Sequence, residues 1–260
     1  MGSQCGAESE TGRAVNMETA RERKTAAIVL AAGHGKRMQS EVAKQFMELQ
    51  RKPLLFYSLK AFEESTVDTV VLVTGKEEIS YCQKEIVGKF GFQKVSRITA
   101  GGKERYHSVY AGLLALSESG FPPDGLVLIH DGARPLVTGE IISRAVEGAA
   151  KYGACAAAMP VKDTIKVADE DGFCAATPKR SMLWQMQTPQ AFSFALIPDA
   201  YKRLFSGEEY QKDVTDDAMV VETMTDSRVK LILGDYSNMK VTTPEDMAVA
   251  EALLLRQNSM

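Results

Sequence analysis

Short apolar runs alternate with amphipathic stretches along most of the chain, and the alternation predicts the elements. Residues 26–31 (AAIVLA) are continuously apolar and short, as expected of a strand buried on both faces. In 53–65 (PLLFYSLKAFEES), Leu54, Leu55, Ser58, Leu59 and Phe62 recur at helical spacing, and Pro53 suits a first helical turn. Residues 68–74 (DTVVLVT) read as a second strand, about 76–89 as a helix, 95–99 (VSRIT) as a strand and 103–116 as a helix. Residues 125–131 (GLVLIHD) form another buried strand. Residues 138–153 form a helix capped by Thr138, and 154–161 (ACAAAMPV) a strand of small residues that permits close packing. Strands alternating with helices imply a parallel α/β sheet covered on both faces.

The rhythm then changes. Residues 163–192 read as short β segments joined by turns, with 170–172 (EDG) as a hairpin signal. Such a hairpin has to pack on something outside the α/β layers. Helix returns next, followed by a strand at 228–234 and a last helix from about Pro244. There Thr243 caps, Pro244 takes the first position and Asp246 favours the positive end.

Composition narrows the class. The chain has 260 residues, 45% hydrophobic and 25% charged, enough for a core that needs no metal or disulfide staple. A net charge of −3 argues against a broad nucleic-acid footprint, so any anion must be met by a local cation cluster. No apolar run reaches membrane-spanning length. Cys5, Cys82, Cys155 and Cys174 lack zinc or CxxC spacing and read as reduced thiols of a cytoplasmic protein. Residues 1–24 carry no apolar signal core and are expected to be a disordered extension or residues added in cloning, MGS being compatible with the latter. Glu8, Glu10, Glu18 and Glu22 suit an organelle-targeting leader poorly.

Candidate chemistry starts at 29–38 (VLAAGHGKRM). Gly33 and Gly35 let backbone N–H groups approach an anion, while Lys36, Arg37 and nearby Lys44 add charge. The run matches neither a dinucleotide GxGxxG, since Met38 replaces the third glycine, nor a Walker loop. Alone it is a weak signal, with a solvated glycine-rich turn as the competing reading. Residues 129–135 (IHDGARP) end a strand with Asp131 and Arg134, and a carboxylate facing a cation-rich loop suits a magnesium–triphosphate complex. Residues 100–109 (AGGKERYHSV) pair Gly101 and Gly102 with Ser108, a platform for a flat base with a hydroxyl beside it. Residues 238–246 (NMKVTTPED) place Lys240 beside a strand end. His34, His107 and His130 share no metal spacing and are assigned structural or solvent roles.

These runs, with KQF, PVKDTIK, LWQMQTPQAF and TDDA, resemble in order the 2-C-methyl-D-erythritol 4-phosphate cytidylyltransferase family over about residues 25–256. The resemblance implies a Rossmann-like, mostly parallel twisted sheet of the nucleotidyltransferase type with a protruding β-hairpin arm. It implies a single domain over 25–257 and a homodimer that exchanges arms at about 160–182. The implied reaction joins CTP to 2-C-methyl-D-erythritol 4-phosphate in the non-mevalonate isoprenoid pathway, with Mg2+ as the divalent cation. Arg37 and Lys44 match transition-state stabilisers, and Arg180 and Lys240 match residues that position the acceptor. Ala31, Ala32, Gly33, Gly35, Gly101, Gly102, Ser108 and Asp131 match the nucleotide side, with Asp131 also the candidate metal contact. Arg134, Thr164 and Thr188 match acceptor contacts. Lys103 stands where an acidic residue is common, and Ala43 where proline is frequent. The competing readings are a ribitol 5-phosphate cytidylyltransferase and a non-catalytic nucleotide-binding module.

Overall fold

The computed structural model describes residues 23–33 and 43–258. Gly35 and Arg37, with His34 and Lys36, lie outside the described residues, as does the N-terminal extension up to residue 22.

Seven strands form the central sheet: β1 (Thr25–Ala31), β4 (Thr69–Thr74), β5 (Val95–Ala100), β6 (Leu126–Asp131), β7 (Ala154–Pro160), β10 (Trp184–Ser193) and β11 (Lys230–Leu233). Their spatial order is β11-β7-β10-β6-β1-β4-β5. The remaining short strands make two separate pairs, β2 (Glu48–Leu49) with β3 (Lys52–Pro53), and β8 (Val167–Ala168) with β9 (Cys174–Ala176). The β1/β6, β1/β4, β4/β5 and β7/β11 pairs are parallel.

Both sheet faces are covered, which is why the central strands read as unbroken apolar runs. Along β1 successive side chains go to opposite faces. Ala27 and Val29 join Leu59, Phe62, Leu72 and Ile86 under helices α1 (Leu54–Glu63), α2 (Lys76–Gly88) and α4 (Gly139–Tyr152). Ala26 and Ile28 join Leu113, Phe192, Tyr201 and Val220 under α3 (Arg105–Glu118), α5 (Ile197–Leu204) and α6 (Asp217–Met224). The last helix, α7 (Pro244–Asn258), joins the β2–β3 hairpin through a small cluster containing Leu49, Leu54 and Leu254. The small residues of β7 do permit close packing. A Cβ added at Gly148 of α4 would lie 2.7 Å from Cys155 Sγ.

Three local expectations change. Pro53 is the residue before α1 rather than inside its first turn. The helix over 76–88 is α-helical only at Ile79–Tyr81, preceded by a 3₁₀ turn and followed by a π segment at Cys82–Gly88. The larger correction is β10. The run expected as short irregular β segments ends in a ten-residue strand inserted between β6 and β7 and antiparallel to both. Its central position buries 187–192 on both faces, where the sequence pattern at 163–192 had pointed to peripheral hairpins. Within that run β8 and β9 form a separate pair whose residues are all exposed. Their turn is closed by Gly172 at φ +84° and by Phe173 N–H donating to Asp169 Oδ1 at 2.8 Å.

Candidate active site

Parallel pairing puts the carboxyl ends of several strands at one edge, where open α/β sheets bind ligands. Leu30 is level with Asp131, Ala31 with Thr74, and Thr74 with Ala100. The loops after β1, β5 and β6 therefore meet there, around a cavity of about 190 Å³. Its wall includes Ala31, Ala32, Gly33, Lys44, Gln45, Gly102, Ser108, Asp131 and Lys240.

The glycine loop after β5 is shaped by packing. A Cβ at Gly101 would lie 2.5 Å from both Ala32 Cβ and Ser108 Oγ, and one at Gly102 would lie 2.4 Å from His107 Cβ. A side chain at Gly101 would force this loop away from the one after β1, and one at Gly102 would collide with the first turn of α3. Gly33 differs: among the described residues a Cβ there meets nothing within 4 Å, and Gly33 lines the cavity. Ser108 Oγ accepts from Gly102 N–H at 3.2 Å. The hydroxyl expected to greet a base thus holds the loop, although Ser108 still lines the cavity. His107 accepts Glu104 N–H at Nδ1 (3.2 Å), which caps the start of α3.

Asp131 is the electrostatic centre. Its Oδ1 lies 3.2 Å from Arg105 Nε and its Oδ2 2.7 Å from Lys240 Nζ. Burial alone would raise its pKa, but Arg105, then Lys240 and Arg134, outweigh it and hold the carboxyl well below the usual carboxylate range. Behind it, Asp131 N–H donates to Thr188 Oγ1 (3.1 Å), which pairs with His130 Nδ1 (3.0 Å), and His130 Nε2 faces Arg134 O (3.3 Å). With the Thr188 hydroxyl donating to Nδ1, the imidazole carries its proton on Nε2. Burial pushes its pKa down to about 4, so His130 is neutral at physiological pH.

Thr188 and Arg134 are not among the residues that line this cavity. The Arg134 guanidinium donates to the carbonyls of Asn238 (2.8 Å) and Met186 (3.3 Å), clamping the β6 loop to β10 and to the loop that carries Lys240. Lys44 Nζ donates to Val241 O at 3.5 Å, bringing the 3₁₀ turn Lys44–Phe46 to that same loop. Arg180 and Thr164 lie elsewhere, exposed near the arm, with Arg180 Nη1 donating to Lys162 O at 3.0 Å.

Sequence reasoning missed the residues beneath Asp131. Arg105 forms a two-pronged pair with Asp217, Nη1 to Oδ1 at 2.9 Å and Nη2 to Oδ2 at 2.8 Å. Tyr201 donates its hydroxyl to the same Oδ1 at 2.6 Å. Burial, and then the adjacent Asp217 charge, push the phenol well above its ordinary pKa, so it acts as a donor. Asp217 is placed by the start of α6, where Asp216 caps Met219 N–H and Gln190 of β10 holds both Asp216 and Ala218 N–H. Arg105 and Asp217 both fall inside quoted motifs, but nothing in a separation of 112 residues pairs them.

The comparisons agree with this architecture. The family model IspD, 2-C-methyl-D-erythritol 4-phosphate cytidylyltransferase, matches residues 25–256. A protein of that description from Lachnospira eligens is 53% identical over 229 residues, covering 88% of this chain and 98% of the relative. Another from Lachnoclostridium phytofermentans is 45% identical over 231 residues, covering 89% and 96%. Among solved structures, 4-diphosphocytidyl-2C-methyl-D-erythritol synthase from Anaerococcus prevotii is similar at a TM-score of 0.78. Its sequence is 32% identical, with 92% of this chain and 99% of that one covered.

Proposed function

The chain belongs to the 2-C-methyl-D-erythritol 4-phosphate cytidylyltransferase family, and from that premise we propose how the cavity at the strand ends performs the reaction. The protein is a nucleotidyltransferase that transfers a cytidylyl group from CTP to 2-C-methyl-D-erythritol 4-phosphate in isoprenoid precursor synthesis. The observation that carries the site assignment is the meeting of Lys44, Lys240 and Asp131 with the two glycine-bearing loops around one cavity.

In this reading the nucleotide lies along Ala31, Ala32, Gly33 and Gly102, where Gly33 leaves open space. An acceptor phosphate oxygen attacks the α-phosphorus of CTP, and pyrophosphate leaves. The nucleophile is already an anion, so no general base is required. Neither described histidine is positioned as one, since His130 is buried and neutral and His107 caps α3. The obstacle is charge: an anion approaches a triphosphate. Lys44 and Lys240 supply preorganised positive charge at the cavity wall, and Arg37 would add to it. Arg105 and Asp217 fix Asp131, and Asp131 in turn fixes the Lys240 ammonium.

A divalent cation fits this wall in one way. Among the described residues no three metal-ligating side chains cluster, so these residues alone make no cation cage. Magnesium is usually held by one or two carboxylates plus substrate phosphates, and Asp131 and Glu104 are the carboxylates on the wall. Asp131 would hold the ion through lone pairs that Arg105 and Lys240 leave unused, and the ion's charge would neutralise triphosphate oxygens.

The arm supports a homodimer. Phe173 is 73% exposed and Met182 74%, large apolar side chains that a second copy would cover. Arg180 and Thr164 then serve the partner's cavity, which accounts for their distance from their own. Among the described residues no helix is long and apolar enough to cross a membrane, and a cytoplasmic location is part of this reading. The test is pyrophosphate release from CTP with 2-C-methyl-D-erythritol 4-phosphate, with ribitol 5-phosphate and with neither. Release should require the methylerythritol phosphate. Faster turnover of the ribitol phosphate would reassign the acceptor, and CTP binding without release would make the protein a binding module.

A further inference from the structure

Gln45 is the middle residue of the Lys44–Phe46 turn, is 2% exposed, and lines the cavity. Its carboxamide nitrogen is buried with no hydrogen-bond partner among the described residues. Two other buried side-chain atoms share that condition, Arg134 Nε and Asn238 Oδ1. Both belong to side chains otherwise tied down, Arg134 by Asn238 O and Met186 O, and Asn238 by Gln187 and Thr188. Gln45 lacks such compensation. A buried amide left unmade lowers stability, and a methionine of similar length would avoid the penalty. The turn that carries it is also fixed in place. Phe46 N–H donates to Ala43 O at 2.9 Å and Met47 N–H to Lys44 O at 3.2 Å, while the Phe46 ring packs edge-on against Tyr81 at 5.0 Å. The amide nitrogen is therefore unpaired among the described residues, on a residue that lines the cavity from a turn whose backbone is held in place.

We propose that Gln45 is a substrate-binding residue whose carboxamide N–H is reserved for an oxygen of the nucleotide's triphosphate. The inference rests on the reading that the cavity takes CTP. The NH₂ end of the amide donates only, and phosphate oxygens at neutral pH accept only. Lys44 precedes it in the same turn, and Lys240 lines the same wall. A neutral donor beside two ammonium groups adds a directed bond to the anion without adding a third like charge. Its role is distinct from theirs: the lysines supply field, and the amide supplies orientation.

The test compares wild type with Gln45→Met in two measurements, the unfolding midpoint without ligand and the calorimetric affinity for CTP with magnesium. The ligand-free midpoint of Gln45→Met should equal or exceed that of wild type, because an unpaired polar group has been removed. CTP should bind about 10- to 100-fold more weakly, the loss of one hydrogen bond to a charged group. Cytidine, which lacks the phosphates, should bind both proteins equally. Gln45→Glu, of the same shape but anionic, should bind CTP more weakly still. Unchanged CTP affinity in Gln45→Met overturns the proposal. So does a lowered ligand-free midpoint, which would assign the amide to the fold, or an equal loss for cytidine, which would move its partner away from the phosphates. A wild type that binds no CTP overturns the functional reading and this inference together, whereas a wild type that binds CTP beside an indifferent Gln45→Met overturns the inference alone.

Discussion

Replacing Asp217 with asparagine keeps the shape of the side chain and removes its charge. In the wild type Arg105 spends two of its donors on Asp217, at 2.9 and 2.8 Å, and its Nε on Asp131 at 3.2 Å. The Asp217 side chain is wholly buried, whereas that of Arg105 is about a quarter exposed (26%). In Asp217→Asn one prong of the pair becomes an amide N–H facing a guanidinium N–H, and Arg105 keeps a single anion. Removing one partner of a buried pair costs about 3–5 kcal/mol, and the partial exposure of Arg105 places this case near about 3 kcal/mol. For a chain of this size that lowers the melting midpoint by roughly 6–12 °C. Tyr201→Phe removes only the 2.6 Å hydrogen bond to the carboxylate, about 1.5–3 kcal/mol, and should fall between the two. Urea unfolding at pH 7.5 gives the free energies, with unchanged slopes as the check that the unfolded state is the same. Repeating it at high salt should leave the difference intact, since buried pairs are screened far less than surface ones. An Asp217→Asn protein within about 0.5 kcal/mol of wild type would show that the Arg105 pair does not support the site.

Lys44→Ala should lower turnover by about 10²–10³-fold, the usual cost of one preorganised transition-state donor, and near-normal turnover would remove Lys44 from that role. Gly33→Val should leave the free protein's stability nearly unchanged, because no described residue lies within 4 Å of its Cβ position, yet weaken CTP binding at least about tenfold by filling the cavity. Calorimetry showing normal CTP affinity in Gly33→Val would move the nucleotide elsewhere. His130, whose folded pKa is pushed down to about 4 from an ordinary value near 6.5, contributes stability that is fully present above 6.5 and drains as the pH falls toward 4. In metal-free buffer the slope should approach about 1.4 kcal/mol per pH unit across that window and flatten in His130→Gln, so equal slopes would remove His130 as the source. If arms are exchanged, equal mixing of inactive Lys44→Ala and Arg180→Ala proteins should restore about a quarter of wild-type activity, because half the dimers are mixed and each holds one intact site. Mixed dimers with no gain would return Arg180 to its own subunit.

Much of this protein is determined locally. The buried strands β1, β4 and β6, the Thr138 cap of α4 with Ile141 N–H donating to it at 3.4 Å, and the hairpin at Gly172 follow from apolar runs and turn chemistry within a few residues. So does the candidate status of Gly33, Gly102, Lys44, Asp131 and Lys240, since glycine loops and cations at strand ends are visible without a structure. What the tertiary structure decides is whom each of them meets. The insertion of β10 between β6 and β7 brings Thr188 under Asp131 and Gln190 to the start of α6, and no local pattern encodes that pairing. The Arg105–Asp217–Tyr201 network joins α3 to α5 and α6 across about a hundred residues, and the orphaned amide of Gln45 is defined by the partners it lacks among the described residues. Propensity and periodicity act over a few residues, whereas burial and charge pairing depend on contacts that exist only once the sheet has closed its order.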